Sequence, residues 1–174
     1  MLKVSTAVLA LYALVAVQDL KGGSYGESQK ETKHLAVITS ASPETGAPGK
    51  RVSLAVDVAP KPKMHVYSPG QEGYIAITLT LVPDPAFTAA KAKYPAGEKI
   101  YMPVLKETQL VYAKPFRIAQ DLTLASTPEM RKRASSGEPL TIKGTIRYQA
   151  CDDTICYLPT NLPVSWTVKL ASSR

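Results

Sequence analysis

From about His34 onward, apolar and polar residues alternate with a period of two, the pattern of strands buried on one face. HLAVITS predicts a first strand, and RVSLAVDV places Val52, Leu54, Val56 and Val58 on a common face. YIAITLTL repeats the pattern through Ile75, Ile77, Leu79 and Leu81. VLKETQLVYA and PFRIAQDLTL add two strands, the second aligning Phe116, Ile118, Gln120, Leu122 and Leu124. LTIKGTIRYQA aligns Leu140, Ile142, Gly144, Ile146 and Tyr148. LPVSWTVKL aligns Leu162, Val164, Trp166, Val168 and Leu170, with Trp166 expected in the core. About seven short strands with turns between them and almost no helical periodicity predict an antiparallel β-sandwich.

The breaks between strands follow turn chemistry. ETGAPGK and the Pro-rich APKPKMHVYSPGQEG read as turns, and VPDPAFTAAKAKYPAGEK as a long loop with a helical turn at residues 87–91. STPEMRKRASSGEP, with Arg131, Lys132 and Arg133 among Ser, Gly and Pro, reads as a solvated loop. A composition with 14 Pro, and nine Tyr to two Phe, agrees with strands and turns rather than long helices.

The N-terminus departs from this pattern. Lys3 precedes an apolar run over residues 4–17, too short for the ~20 residues of a membrane-spanning helix and of signal-peptide length. Residues 1–17 are therefore expected to be a cleaved export signal, with small residues near Ala16 at the cut. No cysteine follows the run to take a lipid anchor. Residues 18–33, rich in Gly, Ser, Glu and Lys, read as a flexible leader, and residues 34–174 as one folded domain. The formal charge of +7 suits steering toward acidic partners, but nothing around the Arg131–Arg133 cluster resembles a nucleic-acid motif.

The candidate chemistry lies in YQACDDTICYLP, which holds both cysteines of the chain, Cys151 and Cys156. Cys151 follows a strand end, and Asp152, Asp153 and Thr154 are turn residues, so the pair is expected on a tight connection at one end of the sandwich. As a structural staple so short a loop contributes only ~2 kcal/mol, against ~4.7 for a loop of a hundred residues. As a zinc half-site it lacks company: the only histidines, His34 and His65, stand alone in the sequence, and His65 reads as a strand-end residue. No metal or other cofactor is expected. As a redox pair it has what is needed, two sulfurs that can join and part without unfolding the domain. It lacks the Cys-x-x-Cys at a helix N-terminus that lowers a thiol pKa, so a modest nucleophile is expected.

The segment formed by Tyr148, Gln149, Cys151, Cys156, Tyr157 and Pro159 resembles the active-site segment of the N-terminal periplasmic domain of DsbD-type thiol:disulfide interchange proteins. MHVYSPG and the YPAGEKIY loop extend the resemblance more loosely. It implies an immunoglobulin-like sandwich in the periplasm. Cys156 would attack partner disulfides and Cys151 would resolve the mixed disulfide. Tyr148, Gln149 and Tyr157 would contact or screen the sulfurs, helped by a cap loop matching YMPVLKE, where Tyr101, Met102 or Leu105 would do the shielding. Electrons would come from a thioredoxin-like donor and a membrane electron transporter, expected as separate chains. They would pass to a periplasmic disulfide isomerase or a cytochrome c maturation factor. The protein is expected to act as a monomer and not to bind nucleic acid. The rival reading is an immunoglobulin-like binding module whose disulfide is an inert clip, since fold alone does not decide function.

Overall fold

The computed structural model describes residues 28–171. Pairing begins with β1 (Ser28–Glu31), β2 (Leu35–Ser42), β3 (Thr45–Gly46), β4 (Arg51–Pro60) and β5 (His65–Tyr67). The middle of the chain forms β6 (Thr78–Leu81), β7 (Phe87–Ala89), β8 (Glu98–Met102), β9 (Glu107–Tyr112) and β10 (Phe116–Leu124). A short helix α1 (Pro128–Ser135) precedes β11 (Leu140–Tyr148), β12 (Ala150–Cys151) and β13 (Thr160–Leu170). One sheet has the order β1-β2-β4-β10-β7 and faces a second of order β3-β13-β11-β6. A small third sheet, β12-β5-β9-β8, carries the second onward past the end of β11. All pairings are antiparallel except the short β3–β13 contact.

The period-two faces become the core. Val52, Leu54, Val56 and Val58 of β4 and Ile118, Leu122 and Leu124 of β10 are buried against Ile142, Ile146, Val164, Trp166 and Val168. Trp166 bridges the layers, its Nε1–H donating to the Ala55 carbonyl at 3.0 Å. Thr39 does the same from β2, donating to the Ser165 carbonyl at 2.8 Å. Gly144 sits where a Cβ would lie 2.9 Å from the Thr80 carbonyl oxygen and 3.3 Å from the Trp166 ring. Only glycine lets β6 and the indole approach this strand together.

Four expectations are corrected. The RKR segment is a helix: Thr127 caps it by accepting from Met130 N–H, Pro128 starts it, and Met130 and Ala134 bury one face. Thr-Pro-Glu is a helix-start signal, overlooked because eight residues carry little periodicity. Arg131 is bound to the Ser126 carbonyl and Arg133 to the Pro139 carbonyl and Glu138, so much of the cluster is spent on its own loop. Residues 87–89 form edge strand β7 against β10 instead of a helical turn. The strand expected through YIAITLTL is confined to Thr78–Leu81. Ser28–Glu31, placed in the flexible leader, is a strand paired with β2, so folded structure starts before His34. Residues 1–17 of the expected signal lie outside the described residues.

Candidate functional site

The third sheet positions the cysteines. β11 ends at Tyr148, and after Gln149 the chain re-enters a ladder as β12, where Ala150 pairs with Val66 and Cys151 with His65. Cys151 and Cys156 are joined in a disulfide. The loop between them is a turn built by Asp152, whose Oδ1 accepts from the Thr154 and Ile155 N–H groups at 2.8 and 2.7 Å and from the Thr154 hydroxyl. Its Oδ2 accepts from the Tyr157 hydroxyl at 2.9 Å. The N–H groups of Thr154 and Ile155 foremost, then the two hydroxyls, hold the Asp152 carboxyl well below the usual carboxylate range.

This has a pH consequence. A depressed folded-state pKa adds stability above the unfolded value near ~4, and that contribution drains away as pH falls toward the folded value. The amide protection of Thr154 and Ile155 is expected to exceed that of Asp152→Asn by a constant factor above about pH 5, with the gap starting to narrow only below about pH 4 and closing as pH nears the depressed folded value. Equal protection at all pH values in a hydrogen-exchange comparison would show that the carboxylate does not hold the turn.

The two sulfurs face different surroundings. Cys151 is 1% exposed, whereas Cys156 is on the surface. A cleft of about 630 Å³ opens over them, lined by His65, Tyr67, Met102, Val104, Leu105 and Ile155 among others. Val104, Leu105 and Ile155 are large apolar side chains left exposed. Residues 103–106 close the β8–β9 hairpin, whose ladder runs to Met102 opposite Glu107, so the loop is carried by paired strands.

Tyr67 is the side chain bound to both sulfurs, its hydroxyl 3.1 Å from Cys151 Sγ and 3.3 Å from Cys156 Sγ. Disulfide sulfurs carry no hydrogen, so Tyr67 donates. Burial first, and then the neighbouring Tyr74, push its pKa up to about 12, which keeps the donor proton in place. Tyr74 stacks on Tyr67 with ring centroids 4.3 Å apart, and its hydroxyl donates to Glu107. Glu107 also accepts from Gln109 at 2.7 Å.

The residues expected from sequence divide. Cys151, Cys156, Met102 and Leu105 line the cleft together. Tyr148 is fully buried in the main core, its hydroxyl donating to Thr32. Gln149 ties the segment down, accepting from Ile75 N–H and donating to the Tyr157 carbonyl. Tyr157 braces Asp152 and packs its ring on His34 at 4.4 Å. Tyr101 lines a neighbouring groove with Lys63 and Asp153. None of these four borders the disulfide cleft. Sequence reasoning passed over Tyr67, Tyr74, Gln109 and Val104. His65 and Tyr67 are two apart, as one strand face requires, but only the β5–β12 pairing brings them beside Cys151.

An immunoglobulin-like sandwich bearing a half-exposed disulfide in an apolar end cleft is the arrangement of a thiol:disulfide exchange domain. The family model for the thiol:disulfide interchange protein DsbD, N-terminal, matches residues 34–165, and the chain belongs to that family. The crystal structure of the N-terminal periplasmic domain of ScsB from Proteus mirabilis superposes with a TM-score of 0.52 at 13% identity, covering 83% of this chain and 51% of that one. The chain thus spans about half the length of that structure, and the likeness is one of fold. AvmM, which catalyzes macrocyclization in alchivemycin A biosynthesis, aligns at a TM-score of 0.24 and 11% identity over 86% of this chain and 98% of its own. No curated protein matches the chain.

Proposed function

We propose that the domain exchanges its Cys151–Cys156 disulfide with partner proteins outside the cytoplasm. The observation that carries this reading is the asymmetry of the pair: a surface Cys156 and a buried Cys151 under one hydroxyl donor, in a cleft with an apolar rim. An incoming donor thiolate meets Cys156 Sγ, the S–S bond breaks, and its electron pair leaves on Cys151. A second donor thiol attacks the donor's sulfur in the mixed disulfide and frees Cys156. In the forward step Cys156 thiolate attacks a client disulfide, and Cys151 attacks Cys156 Sγ to expel the client and restore the bridge. Tyr67 supports the departing Cys151 charge, because a hydrogen bond to a thiolate is stronger than one to a neutral sulfur. The exposed Val104, Leu105 and Ile155 supply a docking rim and screen the sulfurs from small oxidants.

Within this reading the donor is a thioredoxin-like protein fed by a membrane electron transporter. The client is a periplasmic disulfide isomerase or a cytochrome c maturation factor. Family membership and the export signal expected at residues 1–17 support that assignment. Equilibration against glutathione buffers tests it: a reduction potential between about −180 and −270 mV is expected of a working exchange protein. A value below about −300 mV would mark an inert bridge and return the protein to the binding-module reading.

A further inference from the structure

The exchange steps give no task to the histidine that lines the cleft. His65 opens β5 directly opposite Cys151. Directly opposed residues of an antiparallel pair project from the same face with Cβ atoms roughly 5 Å apart. His65 is 6% exposed and lines the cleft with both cysteines. Its Nε2 is buried and makes no hydrogen bond of good geometry among the described residues, its nearest polar neighbour being the Gln109 amide. Buried polar atoms are nearly always paired, so an unpaired one asks for an explanation.

The groups around it narrow the explanation. On its own strand stands Tyr67, edge-on at 5.8 Å between ring centroids. From β9 comes the neutral Gln109, whose buried Oε1 makes no well-formed hydrogen bond but lies close enough to the imidazole to favour its proton weakly. From the 152–155 turn come Asp152 and Asp153, whose charges favour a proton on His65, while burial, the larger influence, disfavours it. Lys63 and Tyr101 border it on the side of the neighbouring groove. Glu107 is already bound by Tyr74 and Gln109. With the bridge closed, burial keeps the imidazole neutral.

Opening the bridge leaves a negative charge on a sulfur that has almost no contact with water. Tyr67 can lend a hydrogen bond but not its proton. Asp152 and Asp153 can only repel the charge. His65 remains, on the same strand face and able to bind a proton near neutral pH.

We propose that His65 is the proton carrier for Cys151: it takes up a proton when the bridge opens, pairs as imidazolium with the buried thiolate, and releases the proton when the bridge closes. This rests on the exchange reading. The balance is simple. The donor thiolate forms a bond to Cys156 Sγ, the S–S electron pair goes to Cys151 Sγ, and one proton enters from solvent onto His65. On the return, the Cys151 lone pair forms the new S–S bond. The client leaves from Cys156 as thiolate, and the His65 proton goes to that sulfur or to water. His65 is a positioning residue for the charge and not a nucleophile.

The test is a histidine NMR titration of the full protein, oxidised and then reduced with a phosphine, with His65 and His34 distinguished by His65→Gln. The His65 midpoint is expected at least one pH unit higher in the reduced form, a tenfold or greater gain in proton affinity. In the Cys156→Ser background, His65→Gln is expected to move the ultraviolet titration of the Cys151 thiolate to higher pH by a similar factor. The same His65 midpoint in both redox forms would overturn the proposal, and so would a Cys151 titration indifferent to His65→Gln. Should His65→Gln fail to fold, the wild-type titration decides alone, the imidazoles then being told apart by His34→Gln. A phosphine opens the bridge whether or not any protein thiol does. A protein that shows the His65 coupling yet resists glutathione would therefore keep this proposal and lose the exchange reading.

Discussion

Cys151→Ala is expected to accumulate long-lived mixed disulfides through Cys156, visible as partner adducts on non-reducing gels and dispersed by reductant. Cys156→Ala is expected to form none and to lose transfer altogether. The asymmetry follows from burial. Cys156 is on the surface, where another protein's sulfur can line up with it, whereas Cys151 lies beneath it at 1% exposure. With Cys151 gone, nothing within the domain can attack Cys156 Sγ to release the adduct, so resolution waits on an external thiol. With Cys156 gone, the remaining thiol is buried beside the Tyr67 hydroxyl, out of reach of another protein's sulfur. Both variants should fold, because a bridge across so few residues contributes only ~2 kcal/mol and β12 keeps its pairing to β5. Adducts forming equally well on either variant would mean that access to the two sulfurs is not what burial indicates. An absence of adducts with both would remove the exchange reading.

Trp166→Ala carries the largest expected loss of stability. The side chain is the bulkiest of the fully buried ones, and its ring fills the space between β4 and the sheet formed by β11 and β13. Truncating a buried Trp costs about 3–5 kcal/mol, and the Ala55 carbonyl loses its donor besides. Against a total of about 5–15 kcal/mol, that is a large share. For a domain of this size it corresponds to a fall in Tm of roughly 6–20 °C, to be read by thermal unfolding in the far ultraviolet. Trp166→Phe, which keeps most of the packing but not the N–H, should fall between. A loss below about 1 kcal/mol for the alanine variant would show that the layers close around the gap.

The long strands were legible because one-sided burial writes its period into the residue types. Val52 through Val58 and Leu140 through Tyr148 turned out buried at every second position, as their alternation required. β5 was hidden in a Pro-rich stretch because His65, Val66 and Tyr67 are all buried, and a strand covered on both faces shows no alternation. β7 is three residues long at a sheet edge and α1 only eight, too short for either period to stand out. β1 is polar throughout. It is held by its ladder to β2, and backbone pairing leaves no mark on side-chain type.

By itself the sequence determined the class of fold, the one place where sulfur chemistry can occur, and a resemblance that the family match bears out. Those properties reside in residue type and short spacing, which local chain geometry carries directly. Which cysteine is sheltered, which hydroxyl bonds the sulfurs, and which histidine stands beside them were decided by tertiary structure alone. Tyr67 and Cys151 are 84 residues apart along the chain. They meet because β12 chose β5 as its partner, and that pairing depends on the backbone register of two very short strands, which no periodicity encodes. Tyr148 shows the converse: it stands only three residues before Cys151, yet strand alternation turns it into the core and away from the cleft.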